Sequence, residues 1–144
     1  MDQLFSHPEV SVLMPAYNRE DYIEDSVKSI LAQTFTDFEF IILDDGSTDK
    51  TFEKIAAFKD SRIRLLRNDQ NRGIAFSRNR LLQEAKGKFL ALLDSDDRSG
   101  FERGDWQWDF LKKNQNLLMV GTPCVAIDQH GAKINSTWAF LQKR

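Results

Sequence analysis

With 144 residues, 41% of them hydrophobic, and 3 Trp, 2 Tyr and 11 Phe, the chain can bury one core and suits a single domain over residues 1–144. Its 20 basic and 22 acidic residues leave a net charge of -2, with no like-charge block and no basic stripe, which argues against nucleic acid as a partner. The apolar runs are too short for a membrane span, residues 1–9 carry no leader pattern, and Cys124 is the lone cysteine, so no internal disulfide is possible and a cytoplasmic location is expected.

Residues 10–14 form a short β-branched and apolar run closed by Pro15, which reads as a strand. Residues 21–34 then carry Ile23, Val27, Ile30 and Leu31 at helical spacing. A second strand over 38–43 stops at Asp44-Asp45-Gly46-Ser47, where Ser47 or Thr48 can cap a helix that buries Phe52, Ile55 and Ala56. Residues 63–66 give a third strand and 68–73 a polar loop. A helix over 74–85 follows, with Ala75, Leu81, Leu82 and Ala85 inward and Gly87 as its stop. Residues 89–93 read as a fourth, buried strand. A helix over about 105–114 with Phe110 and Leu111 inward comes next, then a strand over 117–120 and a terminal hairpin, 125–127 with 132–134.

Strands alternating with helices specify an α/β fold: a mostly parallel central sheet, helices on both faces, right-handed crossovers and a short C-terminal hairpin. Ligands of such sheets bind beyond the carboxyl ends of the strands, which here carry three polar loops, 15–20, 44–49 and 94–97.

The most informative of these is Asp94-Ser95-Asp96-Asp97. Alternation along an extended backbone sends Asp94 and Asp96 to the same side, and two hard carboxylates suit Mg²⁺ or Mn²⁺ with positions left open for nucleotide phosphates. A polar turn capping the next helix is the competing reading. Asp44 and Asp45 are adjacent, so one faces the cleft; it could accept from a base N–H or bind a ribose hydroxyl while the other ties down the Gly46 turn. Tyr17 could lie flat against a base, or simply pack over the first helix. Arg78 and Asn79, one turn into the third helix, could meet phosphate, or form surface ion pairs.

Taken together, Val10-Ser-Val-Leu-Met-Pro-Ala-Tyr-Asn-Arg, Ser29-Ile-Leu-Ala-Gln-Thr-Phe, Phe38-Glu-Phe-Ile-Ile-Leu-Asp-Asp-Gly-Ser-Thr-Asp, Asn71-Arg-Gly-Ile-Ala, Ala85-Lys-Gly-Lys and Asp94-Ser-Asp-Asp resemble, in order, the family 2 glycosyltransferases. The resemblance runs from about residue 10 to 97, with a weaker match near 110–121. It implies the Rossmann-like GT-A fold, a nucleotide-diphospho-sugar donor (a UDP-sugar first among them), a divalent metal, Mg²⁺ or Mn²⁺, and inverting transfer to an acceptor hydroxyl. By position it implies that Tyr17 and Asp45 contact the base and that Pro15, Ala16 and Asn18 line its pocket. It likewise places Arg78 near the nucleotide, Asp94 in the ribose or metal region, and Asp96 on the metal.

The chain departs from the family pattern in two places. Residues 98–105 lack the proline that usually opens the next helix, and family members continue well beyond this length into an acceptor-binding half that supplies the general base, whereas this sequence stops at Arg144. Asp105 and Asp109 are not nominated as that base by their spacing, so the catalytic base stays unassigned and the acceptor, a saccharide or a lipid-linked glycan, stays open. The expected protein is thus a donor-binding domain lacking most of its acceptor half, cytoplasmic or peripheral to the inner face of the membrane, and prone to self-association. The alternative function is a nucleotide-sugar-binding module that is non-catalytic or depends on a partner chain, with Trp106, Trp108 and residues 138–141 as contact surface. A phosphoacceptor domain is the third reading and fits less well, because its aspartate pair follows strand two rather than strand one.

Overall fold

The computed structural model describes residues 7–128 and 130–134. The expected order is present: β1 (Val10–Ala16), α1 (Ile23–Leu31), β2 (Phe38–Asp44), α2 (Thr51–Ala56), β3 (Ile63–Arg67), α3 (Ile74–Glu84), β4 (Phe89–Leu92) and α4 (Arg103–Lys113). The four strands form one parallel sheet in the order β3-β2-β1-β4. The chain therefore steps outward from β1 to β3, then crosses back through α3 to place β4 on the other side of β1. That reversal makes a topological switch point between β1 and β4, where the loops diverge and leave a crevice.

Each face of the sheet is set by strand alternation. Val10, Val12, Met14 and Ala16 of β1 and Phe38, Phe40 and Ile42 of β2 face one side, under Ile23, Val27 and Ile30 of α1 and Ile55 of α2. Leu13, Ile41 and Leu43 face the other, against Leu81 of α3. Burial of this many fully covered aliphatic side chains, each contributing about 1.5–3 kcal/mol, is what overcomes the chain entropy of ordering the sheet.

Several local expectations are corrected. Pro15 does not close β1, which runs on to Ala16; by then β4 has ended its pairing at Leu13, so Pro15 needs no amide toward that side. In α3 the inward residues are Ser77 and Leu81, whereas Ala75 and Leu82 face outward. Ala56 of α2 is exposed as well. α4 buries none of its side chains fully: Phe110 is exposed, and its main contact with the core is Trp108, whose ring lies 5.3 Å from that of Phe35. Residues 117–120 form no strand, and Leu118 is fully exposed. The hairpin is reduced to one antiparallel bridge, Ile127 with Lys133, beside a turn in which the Gly131 N–H donates to the Asp128 carbonyl. Trp106 is exposed, and the 138–141 segment lies outside the described residues.

Candidate functional site

A cavity of about 370 Å³ opens at the switch point. The end of β1 supplies Pro15, Ala16 and Tyr17, β2 supplies Asp45, the turn after β4 supplies Asp94, Ser95 and Asp96, and α3 closes the far wall with Ile74, Ser77 and Arg78. Seven of the eight residues nominated from sequence for this site therefore line one space.

Asn18 is the exception. Its backbone adopts a left-handed φ of 49°, its N–H donates to Ser47 Oγ at 3.0 Å, and its Oδ1 accepts from the Thr48 N–H at 2.9 Å. This reciprocal clamp joins the β1 and β2 loops, and further bonds extend it: the Arg19 N–H to Thr51 Oγ1 at 2.7 Å and the Glu20 N–H to Asp49 at 3.1 Å. Asn18 thus fixes the loop that presents Tyr17 rather than lining the cavity. The Tyr17 ring is partly exposed and free to offer a face.

The two adjacent aspartates divide their work as alternation requires. Asp44 is fully buried; its Oδ2 accepts from the Ser47 N–H at 3.2 Å and meets Arg67 Nε at 3.1 Å, which pins the Gly46 turn. Asp45 faces the cavity, where its Oδ1 accepts from Asn68 Nδ2 and from the Arg72 N–H at 3.0 Å, and its Oδ2 accepts from the Gly73 N–H at 2.9 Å. Burial pushes the Asp45 carboxyl upward, but the bonds from Asn68, Arg72, Ser77 and Gly73 outweigh it and hold it below the usual carboxylate range. Asp45 is a fixed anion with acceptor capacity left over.

The acidic turn is organised by its backbone. The Asp97 N–H donates to the Asp94 carbonyl at 3.1 Å, and Ser26 of α1 donates its hydroxyl to the Ser95 carbonyl at 3.0 Å. Ser95 is consequently buried, while Asp94 and Asp96 both project into the cavity. Asp97 is not among the residues that line it. Its carboxyl is pushed up by burial and then by the neighbouring charges of Asp96 and Asp94, against the pull of Arg103. Arg78 Nη2 lies 2.8 Å from Asp94, and Arg19 Nε lies 3.1 Å from Asp96.

Two exposed hard carboxylates in one cavity fit Mg²⁺ or Mn²⁺, which keep several positions for water and phosphate. Among the described residues no group of three or more His, Cys, Asp or Glu side chains could cage an ion. Arg19, Asn71, Gly73, Ile74, Ser77 and Ser95 also line the cavity without having been singled out from sequence. Arg19 carried a signal: it is the one cation in the 15–20 loop. Asn71, Gly73 and Ile74 lie in the Asn71-Arg-Gly-Ile-Ala segment and Ser95 in Asp94-Ser-Asp-Asp, whereas Ser77 reaches the site through long-range folding alone.

The chain is 42% identical over 112 residues to the UDP-Glc:alpha-D-GlcNAc-diphosphoundecaprenol beta-1,3-glucosyltransferase WfgD of Escherichia coli, a match covering 78% of this chain and 44% of that protein. Among solved structures, S. aureus TarS 1–349 in complex with UDP superposes with a TM-score of 0.70 at 30% identity, covering 74% of this chain and 33% of that one. The mannosyltransferase PcManGT of Pyrobaculum calidifontis, in complex with GDP-Man and Mn²⁺, gives 0.62 at 26% identity, covering 71% and 31%. The chain thus has the Rossmann-like GT-A fold and spans less than half the length of these relatives. No described helix is long and apolar enough to cross a membrane. The glycosyl transferase family 2 profile matches residues 11–138, most of the sequence, and the chain belongs to that family.

Proposed function

We propose that the switch-point cavity is the donor site of a glycosyltransferase. It would take a nucleotide-diphospho-sugar, a UDP-sugar in the first instance, held through Mg²⁺ or Mn²⁺, for transfer to an acceptor hydroxyl with inversion. The observation that carries this reading is the convergence of Tyr17, Asp45, Arg78, Asp94 and Asp96 on one cavity. The relatives support it: TarS has been solved with UDP and with UDP-GlcNAc, and PcManGT with GDP-Man and Mn²⁺.

In this reading the Tyr17 ring stacks on the base and Asp45, already an anion, accepts from a base N–H. Pro15 and Ala16 form the floor beneath the base. Asp94 and Asp96 hold the ion, and Arg78 faces the diphosphate. A bound divalent ion supplies positive charge against the diphosphate leaving group. The family resemblance ascribes the general base to an acceptor-binding half, so none of the donor-site residues is given that role. The free side of β4, where Leu90 and Leu92 are about half exposed, is the face through which two copies of the domain associate.

Titration calorimetry with UDP, GDP and dTDP, with and without Mn²⁺, tests the donor site. The expected result is Mn²⁺-dependent binding of UDP that falls in Asp96→Ala. Even outer-shell partners of a metal are worth about 10–100-fold, so loss of a direct ligand should cost at least that. Binding that is indifferent to Mn²⁺ and to Asp96→Ala, or no nucleotide binding by the folded protein, would overturn the reading.

A further inference from the structure

The acidic turn meets two guanidinium groups, one from each side of the cavity. Arg19 comes from the loop after β1, where its Nη1 also donates to the carbonyl oxygens of Asn18 at 3.0 Å and Tyr17 at 3.3 Å. Arg78 comes from α3. Their ion pairs with Asp96 and Asp94, at 3.1 and 2.8 Å, give each carboxylate an internal cation in the place where a divalent ion would be held.

We propose that Arg19 and Arg78 are counter-ions that compete with a free divalent ion for Asp96 and Asp94, and that they turn to the diphosphate when ion and nucleotide arrive together. This rests on the donor-site reading of the cavity. A lone ion entering the turn must open two ion pairs and then sits beside two unpaired guanidinium groups, whose like charge opposes it. A diphosphate removes that conflict, because each arginine exchanges a carboxylate for a phosphate oxygen with equally good hydrogen-bond geometry. Ion and nucleotide therefore bind with positive coupling, and by linkage each tightens the other by the same factor. The four side chains are 42–54% exposed, where such pairs add little to folding stability. Their effect is felt in binding.

The test is a Mn²⁺ titration followed by the electron paramagnetic resonance signal of the free ion, on the wild type, Arg19→Gln, Arg19→Lys and Arg78→Gln, each with and without UDP. Without nucleotide, each Gln variant should bind Mn²⁺ about two- to fivefold more tightly than the wild type, the range expected for one exposed ion pair. Arg19→Lys, which keeps the charge, should stay near the wild type. The factor by which UDP tightens Mn²⁺ should shrink in both Gln variants. A purely structural role for either arginine would lower ion affinity, not raise it. Unchanged or weaker Mn²⁺ binding in both Gln variants overturns the inference, and Arg78→Gln carries the test alone if Arg19→Gln fails to fold. Wild-type binding of UDP with Mn²⁺ alongside unmoved variants overturns this inference only. Absence of UDP binding overturns the donor-site reading, while the nucleotide-free titrations still decide whether the arginines compete with the ion.

Discussion

Asp45 ties the switch-point cavity to the fold. Its carboxylate gathers the Asn68 side chain and the Arg72 and Gly73 amides, so the 68–73 loop and the start of α3 are hung on one residue. Asp45→Ala leaves those donors without their acceptor, and we expect a loss of about 1–3 kcal/mol in urea unfolding. Nucleotide affinity should fall with it. Gly46 is fixed by a different constraint. Its φ is +70°, and a Cβ there would stand 2.5 Å from the backbone of Gln70, so Gly46→Ala should destabilise by a similar amount, about 1–3 kcal/mol. Unchanged unfolding midpoints in these two variants would contradict the assignment of the 45–46 turn as the support of the cavity.

At the scale of elements, the far end of the sheet is held by a charged network as well as by apolar packing. Glu39 of β2 is buried and accepts from Ser11 Oγ of β1 at 2.7 Å, the Lys86 N–H at 2.7 Å and Arg64 of β3 at 3.0 Å, and Arg64 also pairs with Glu84 at the end of α3. Burial pushes the Glu39 carboxyl up, yet Ser11, Lys86 and Arg64 together bring it below its ordinary 4.5. A folded value below the unfolded one means that Glu39 stabilises fully above about pH 4.5 and that this contribution fades as pH falls through the folded value. Urea midpoints should therefore drop more steeply between neutral pH and pH 3–4 in the wild type than in Glu39→Gln. Parallel pH profiles would contradict the network.

The four strands, α1 and their order are readable because Val, Ile and Phe recur at strand or helix period and each run ends in a polar loop. α3 is readable as a helix but its inward face is not, since that face is Ser77 and Leu81: a serine hydrogen-bonded to Asn68 carries no apolar signal, and a helix resting on β1 and β2 along a narrow stripe leaves Leu82 outside. The 117–120 run is apolar enough for a strand, yet strands exist by pairing, and no neighbour among the described residues accepts it.

For the whole molecule, the parallel topology explains why so much of the candidate site is visible in advance. Once four strands alternate with helices, the residues just past β1, β2 and β4 must meet, and Tyr17, Asp45, Asp94 and Asp96 sit at those ends. Ser77 enters from a helix wall, where spacing gives no warning, and Arg19 enters as the one cation of the loop after β1. The β4 side is the molecule's weak flank: Leu90 and Leu92 are about half exposed, and Leu118 and Met119 almost wholly so. Sedimentation velocity over a concentration series should show self-association, reduced in Leu92→Lys. A monomer at the highest concentration would contradict association through this face.

In the proposed donor site a nucleotide and a divalent ion share the cavity between β1 and β4. Anomalous diffraction from crystals grown with UDP and Mn²⁺ tests it most directly. The expected map places a manganese peak within coordination distance of the Asp96 carboxylate, with the base against Tyr17 and the diphosphate between. A manganese peak away from Asp94 and Asp96, or nucleotide density outside this cavity, would contradict it.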